Sequence, residues 1–352
     1  MKRTTGKEES LGKQLQKRVS KPKEEEEEFS GNFETVISTG STLLDLAISG
    51  GKIRGGGLPG GILIEAFGPS GCGKTVFLSE VAGAVQRQGG EISFKDPEAR
   101  LSDQFALMFG MKVDEKNYSR PDTIEEVFRG AREWTLTKEY SPKIVHGIFA
   151  DSLAALTTKE EMDDNDAYGM RRGKEFSKEL RLTCREIAKK NWLMVCSNQI
   201  RDVIGATQYQ EKTKSPGGRA WEFYPSVRLQ FSSAKKITLE KEVAGKKQER
   251  VIGVETGIYV YKNSVWKPYR SASVHILFDY GIDDIKANLQ YIKSNTLYTT
   301  YTLRGESLSN DMSKAIRMIE ADNLEEQLRN EVIDLWEEIE EKFKQERKPK
   351  RS

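Results

Sequence analysis

The stretch Gly68–Thr75, GPSGCGKT, constrains this chain more than any other. It fits G-x-x-x-x-G-K-[ST] without mismatch. An apolar run, Ile62-Leu63-Ile64-Glu65-Ala66-Phe67, precedes it and a helical pattern follows. That context is a strand, a phosphate-binding loop and a helix. Glycines let the backbone curl until its N–H groups surround a phosphate, and the helix adds its positive N-terminus. On this chemistry Gly68, Pro69, Ser70, Gly71, Cys72 and Gly73 form the cradle. Lys74 reaches the β- and γ-phosphates of a nucleotide, and the Thr75 hydroxyl holds Mg²⁺. Cys72 reads as a small filler residue within the loop.

Phosphoryl transfer needs carboxylates nearby. Asp151 ends the apolar run of IVHGIFAD, where it would hold Mg²⁺ through water; Asp-Ser is also a good helix cap. Glu98 lies just past the strand Glu91–Phe94, in KDPEARL. Open α/β sheets bind ligands at the carboxyl ends of their strands, and a carboxylate there can polarise an attacking water. Asp96 is a second candidate for that role. The plainer alternative has Asp96 capping a helix, with Glu98 in its first turn.

Apolar segments at 62–67, 91–94, 144–150 and 192–197 read as strands. Helical patterns lie between them, at about 74–88, 98–109, 122–138 and 169–190. This alternation predicts an α/β fold with a mostly parallel sheet covered on both faces. Strands near 226–231, 252–261 and 273–279, with no long helices between them, predict an antiparallel extension. Residues 1–33 read as an N-terminal tail with Leu11, Leu15 and Val19 on one helical face, either disordered or docking on a neighbouring subunit. Residues 34–282 read as the core, 283–343 as a small α+β C-terminal domain, and 344–352 as a basic tail.

Composition narrows the classes. Net charge is +2, so the overall balance points to no partner. No apolar run is long enough to span a bilayer, and the N-terminus carries no secretory signal. Three cysteines without CxxC spacing, and two distant histidines, argue against a zinc site and for a reduced, cytoplasmic setting.

The run from Cys196 to Pro225 raises a separate question, because a core strand ends in Gln199 and passes into a long polar, cationic loop. Loops of that length in compact domains are usually functional or disordered. Arg201, Lys212, Lys214 and Arg219 give it positive charge. Charge of that kind can follow a nucleic acid backbone.

Taken together, STGSTLLDLAI, GPSGCGKT, DPEARL, ADSLAALT, SNQIR, GGRAWEFYPSVRL and VYKNSVWKPY resemble the bacterial RecA recombinase family in order and spacing. The resemblance covers roughly residues 34–283, with a weaker echo to about 343. It implies a RecA-type ATPase core using ATP and Mg²⁺, with Lys74, Thr75 and Asp151 in the nucleotide site and Glu98 as the catalytic glutamate. It implies Phe105 over the adenine and Gln199 as the γ-phosphate sensor at the start of the second DNA-binding loop. Arg171, Arg172 and Lys174 fall in the first such loop, and Lys262 on a lysine that reaches the neighbouring subunit's ATP. The implied function is DNA recombination and repair in the DNA damage response. A helical filament on single-stranded DNA would exchange strands with double-stranded DNA, and single-strand-binding and mediator proteins are further expected partners. An accessory, mediator-type ATPase with weak strand exchange is the alternative.

The sequence departs from the family at several points. Ser264 replaces the second lysine of the lysine–asparagine–lysine segment, with Lys267 nearby. Glu222 stands in place of an interface lysine beside Phe223, which either couples neighbouring sites or fills core. His146 and Gly147 interrupt an otherwise apolar strand. The end of the chain is basic where the family's is typically acidic. The loop 203–210 lacks the family's Met-Phe pair and keeps Tyr209.

Overall fold

The structure, a computed structural model, describes residues 33–137, 141, 143–158, 170–202, 213–214 and 220–347. The N-terminal tail and residues 348–352 lie outside them. Strand β1 (Val36–Ile37) leads to helix α1 (Thr42–Ser49), whose Ser41 side chain caps the N–H of Leu44. Then come β2 (Leu58–Pro59), β3 (Leu63–Gly68), α2 (Lys74–Arg87), β4 (Ile92–Lys95), α3 (Asp103–Met108) and β5 (Tyr118–Ser119). Helix α4 (Ile124–Glu133) starts at a reciprocal cap between Thr123 and Glu126. It is followed by β6 (His146–Ala150), a 3₁₀ turn at Leu153–Ala155, α5 (Met170–Lys189), β7 (Trp192–Gln199), β8 (Arg201–Asp202) and β9 (Thr213–Lys214). Next are α6 (Ala220–Phe223), β10 (Val227–Phe231), β11 (Lys235–Val243), β12 (Lys246–Asn263), β13 (Ser271–Leu277) and β14 (Gly281–Ile282). The chain closes with α7 (Asp284–Asn295), β15 (Tyr301–Leu303), β16 (Glu306–Ser309), α8 (Met312–Ala321) and α9 (Glu325–Lys342).

The main sheet has the order β14-β13-β12-β10-β3-β7-β6-β4-β5, with β11 paired to β12. From β10 to β5 its strands are parallel; beyond β10 they are antiparallel. Strand β7 shows why both faces are covered. Leu193 and Val195 join the core under α2, with Phe77, Leu78 and Val81. Met194 and Cys196 join the opposite core, with Phe128 of α4 and Phe176 of α5. Side chains alternate across a strand, so a strand buried on both faces must be apolar throughout.

His146 and Gly147 do not interrupt β6. His146 Nδ1 accepts the N–H of Glu91 at 3.0 Å. A Cβ on Gly147 would fall 2.5 Å from the Phe149 ring, so the missing side chain makes room for that aromatic. A third apolar cluster holds the last segment: Leu289, Ile319, Leu328 and Val332 pack with Leu46 of α1. Ion pairs from Arg54 to Asp334 (2.6 Å) and Glu337 (2.7 Å) brace α9 from outside. Among the described residues no helix is long and apolar enough to cross a membrane.

Two sequence expectations change. The helix expected at 98–109 begins only at Asp103, where Ser102 caps the N–H of Phe105. A residue in left-handed backbone, Ala99 (φ 52°), precedes it. The second difference is the ribbon β11–β12. Strand β12 extends well before residue 252, and β11 was not expected, because charged exposed strands carry no apolar alternation.

Candidate active site

The parallel strands β3, β4, β6 and β7 end at one edge of the sheet, and a cleft of about 310 Å³ opens there. Lys74, Thr75, Glu98, Asp151 and Gln199 all line it. The loop after β3 turns through Gly71 (φ 71°) and Gly73 (φ 92°), both left-handed. A Cβ on Gly73 would lie 2.2 Å from Ile276 Cδ1, so close packing as well as backbone angle requires glycine. No side chain caps α2, which leaves its first-turn N–H groups facing the cleft. That donor set suits a phosphate. Lys74 is buried, and its ammonium donates to the carbonyls of Gly68 (3.0 Å) and Pro69 (2.5 Å). The Cys72 thiol lies 3.0 Å from the Pro69 carbonyl; burial pushes its pKa up, against the pull of Lys74. It is the buried filler expected from the sequence.

The three acidic candidates now separate. Asp96 is 2% exposed, and its carboxylate accepts from the Leu101 N–H (2.9 Å) and the Tyr118 hydroxyl (2.8 Å). It staples the loop and caps no helix. Glu98 stands on that loop at the cleft wall, paired with Arg100 at 2.7 Å. Asp151 follows β6 and accepts a hydrogen bond from Ser197 Oγ. It is Ser152 that caps the 3₁₀ turn, through the N–H of Ala154. Both the Asp96 and the Asp151 helix-cap alternatives therefore fall away. Thr75 and Asp151 share the cleft, and an alcohol plus a carboxylate suits Mg²⁺.

Gln199 is the last residue of β7 and sits directly opposite Gly68, the first residue of the phosphate loop. Immediately beyond it, Arg201 pairs with Lys214 and Asp202 with Thr213, so the long loop begins and returns as a small antiparallel ribbon. The sequence reads as a long polar, cationic loop there, most of which lies outside the described residues. The side chains of Arg171, Arg201 and Lys214, and all of Lys212, Arg219 and Tyr209, lie outside the described residues. Lys174 is on α5. The Arg172 guanidinium donates to the carbonyls of Leu153 (3.0 Å) and Ala154 (3.2 Å) and lies over the Phe176 ring. These bonds tie α5 to the turn after β6.

Lys262 does not line this cleft. It donates to the carbonyls of Glu222 (3.0 Å) and Phe223 (2.7 Å) at the end of α6, and burial lowers its pKa. Ser264 N–H bonds the Ser226 carbonyl, and Lys267 Nζ lies over the Trp266 ring. Phe223 is 69% exposed, so it does not fill core.

Phe105 lines the cleft, packed edge-on against Phe109 at 4.9 Å. Sequence reasoning missed Phe278, which lines the same cleft just past β13, together with Arg100 and the Ser197 donor. Phe278 lies more than 170 residues from Phe105 along the chain, and only the antiparallel extension brings it there.

Residues 12–283 match the model of the RecA N-terminal domain. The chain belongs to the RecA family. It is 36% identical over 248 residues to the Protein RecA of Thioalkalivibrio sulfidiphilus, spanning 70% of this chain and 67% of that one. Identity to the Protein RecA of Bacillus cereus strain B4264 is 31% over 299 residues, covering 83% and 77%. A solved structure titled the crystal structure of the RadB recombinase overlays with a TM-score of 0.46 at 19% identity, covering 70% of this chain and 98% of that one. The mixed α/β architecture with its mostly parallel sheet is the fold expected of a RecA-family core.

Proposed function

We propose that this chain is an ATP-dependent DNA recombinase that assembles as a helical filament on single-stranded DNA and drives homologous pairing and strand exchange. The observation that carries this reading is the meeting of Gln199 and Gly68 at the cleft edge, with Glu98, Lys74, Thr75 and Asp151 around them. The phosphate loop and the uncapped first turn of α2 bind the nucleotide's phosphates, with Phe105 and Phe278 as aromatic walls for the base. Thr75 and Asp151 would hold Mg²⁺, which when bound neutralises phosphate charge. Glu98 orients water for attack and takes its proton. The Gln199 amide reads the terminal phosphate and passes its presence to the ribbon β8–β9, which orders or releases the DNA-binding loop. Lys262, freed from its own chain's carbonyls, reaches the neighbouring subunit's nucleotide. Subunits then stack head to tail in a contact that need not close.

The test is ATP hydrolysis with and without single-stranded DNA, on wild type and Glu98→Gln. Strong stimulation by DNA, lost in Glu98→Gln while ATP-dependent DNA binding persists, is the expected result. Hydrolysis indifferent to DNA would sink the coupling through Gln199. One observation favours an accessory, mediator-type ATPase instead: Lys262 is occupied within its own chain and Ser264 supplies no second cation. Efficient strand exchange by the purified protein would exclude that alternative.

A further inference from the structure

The segment between β4 and α3 brings a second charged side chain to the cleft beside Glu98. Its backbone is held by Asp96: the Ala99 N–H bonds the Asp96 carbonyl (3.1 Å), and the Leu101 N–H bonds the Asp96 carboxylate (2.9 Å). Leu101 itself packs against the core under α2. Between these anchors Ala99 adopts left-handed backbone (φ 52°), and Glu98 and Arg100 both line the cleft. Their side chains pair at 2.7 Å, with Glu98 largely buried and Arg100 mostly exposed. Among the described residues that line the cleft, the cations are Lys74 and Arg100. Lys74 rests on the carbonyls of Gly68 and Pro69 within the phosphate loop. Lys262 is tied to the carbonyls of Glu222 and Phe223, and position 264 supplies a serine. Arg100 is therefore the cleft's cation outside the phosphate loop, and its partner is the carboxylate proposed as the base.

We propose that Arg100 reads the terminal phosphate from within its own chain: with a triphosphate in the cleft its guanidinium leaves Glu98 for the γ-phosphate, and with a diphosphate it stays on Glu98. The inference rests on the proposed function and names a further specificity-determining residue of that site. A guanidinium presents the same planar fork to a carboxylate and to a phosphate, so it can exchange one for the other. The anchored backbone need not move. Rotation of one exposed side chain turns the guanidinium into a cleft of about 310 Å³ that Lys74 and Thr75 also line. The exchange frees the Glu98 carboxylate when the phosphate to be attacked is present, and masks it when only the diphosphate remains. It also supplies in the same chain a positive charge that Ser264 cannot supply.

The test is calorimetric titration of the full chain with ATPγS and, separately, with ADP, both in Mg²⁺, for wild type, Arg100→Ala and Arg100→Lys. Arg100→Ala should weaken ATPγS by about 5-fold to 10-fold, as loss of an exposed charge-assisted contact does, and leave ADP within about 2-fold. Arg100→Lys keeps the charge and loses the fork, so it should recover part of the loss. Crystal structures of the two wild-type complexes check the exchange directly: the guanidinium should lie on the γ-phosphate with ATPγS and on Glu98 with ADP. Equal weakening of both nucleotides overturns the proposal, because Arg100 would then be an undiscriminating cation of the cleft. Unchanged affinity for both also overturns it, as does an Arg100–Glu98 pair that persists with ATPγS bound. Failure of DNA-stimulated hydrolysis in wild type would count against the proposed function and leave the comparison of ATPγS with ADP readable. Because Arg100 is exposed, both variants should melt like wild type, and a matching thermal transition checks that they are folded.

Discussion

Ser197 donates its hydroxyl proton to the Asp151 carboxylate across the neighbouring strands β7 and β6. Asp151 lines the cleft, and if it holds Mg²⁺ as proposed, Ser197 is the partner that orients the ligand from behind. Ser197→Ala should raise the Mg²⁺ concentration needed for half-maximal hydrolysis by about 10-fold. The rate at saturating Mg²⁺ should stay close to wild type, and Ser197→Thr should restore the dependence. A Mg²⁺ titration of hydrolysis checks this.

Glu98 and Arg100 form an ion pair on the cleft wall, with Arg100 74% exposed and Glu98 only 14%. Glu98→Gln should lower kcat by about 100-fold or more, the ordinary contribution of a general base. Arg100→Ala should instead raise KM for ATP several-fold with little change in kcat, because it removes a cation from the cleft and leaves the carboxylate in place. Steady-state kinetics on both variants separates the two roles.

Glu65 is fully buried in β3, and its carboxylate accepts from Arg228 Nε at 2.7 Å and Asn198 Nδ2 at 3.0 Å. The Arg228 guanidinium also lies over the Phe67 ring at 4.6 Å. Removing one partner of a buried pair leaves an uncompensated charge. Arg228→Met should destabilise the fold by about 3–5 kcal/mol. Glu65→Met with Arg228→Met should recover much of that loss. Chemical denaturation of the single and double variants is the measurement.

Asp45 is buried on α1, accepting from Ser38 Oγ (2.6 Å) and the Thr39 N–H (2.8 Å). Burial raises its pKa from 3.8 to about 6, against the lowering effect of those hydrogen bonds and of Arg329. A raised carboxylate pKa means that the folded state holds its proton longer than the unfolded chain. Its contribution to stability is therefore fullest below pH 3.8 and is lost as pH rises through about 6. Relative to Asp45→Asn, wild type should lose up to about 3 kcal/mol between pH 4 and pH 7. Parallel denaturation curves across that range test the sign.

Much of the proposed nucleotide site was legible because its signals are local. GPSGCGKT requires only contiguous glycines, a lysine and a threonine between a strand and a helix, and the apolar runs marking β3, β4, β6 and β7 stand out because those strands are buried on both faces. Resemblance then selected Glu98 over Asp96, and the structure adds that Asp96 accepts from Leu101 and Tyr118 while Glu98 lines the cleft. The charged ribbon β11–β12 gave no such signal, because its exposed strands carry no apolar alternation.

By itself the sequence determined the phosphate loop, the alternating core and the RecA-family membership, since each rests on residue type and short-range spacing. The tertiary structure decided which distant residues meet. It set Gln199 opposite Gly68, brought Phe278 to the cleft that holds Phe105, tied Arg172 to the turn after β6 and gave Asp151 its Ser197 donor. The physical reason is register. A strand's side chains alternate regardless of neighbours, but which residue faces which is set by the hydrogen-bond ladder between strands far apart in the chain.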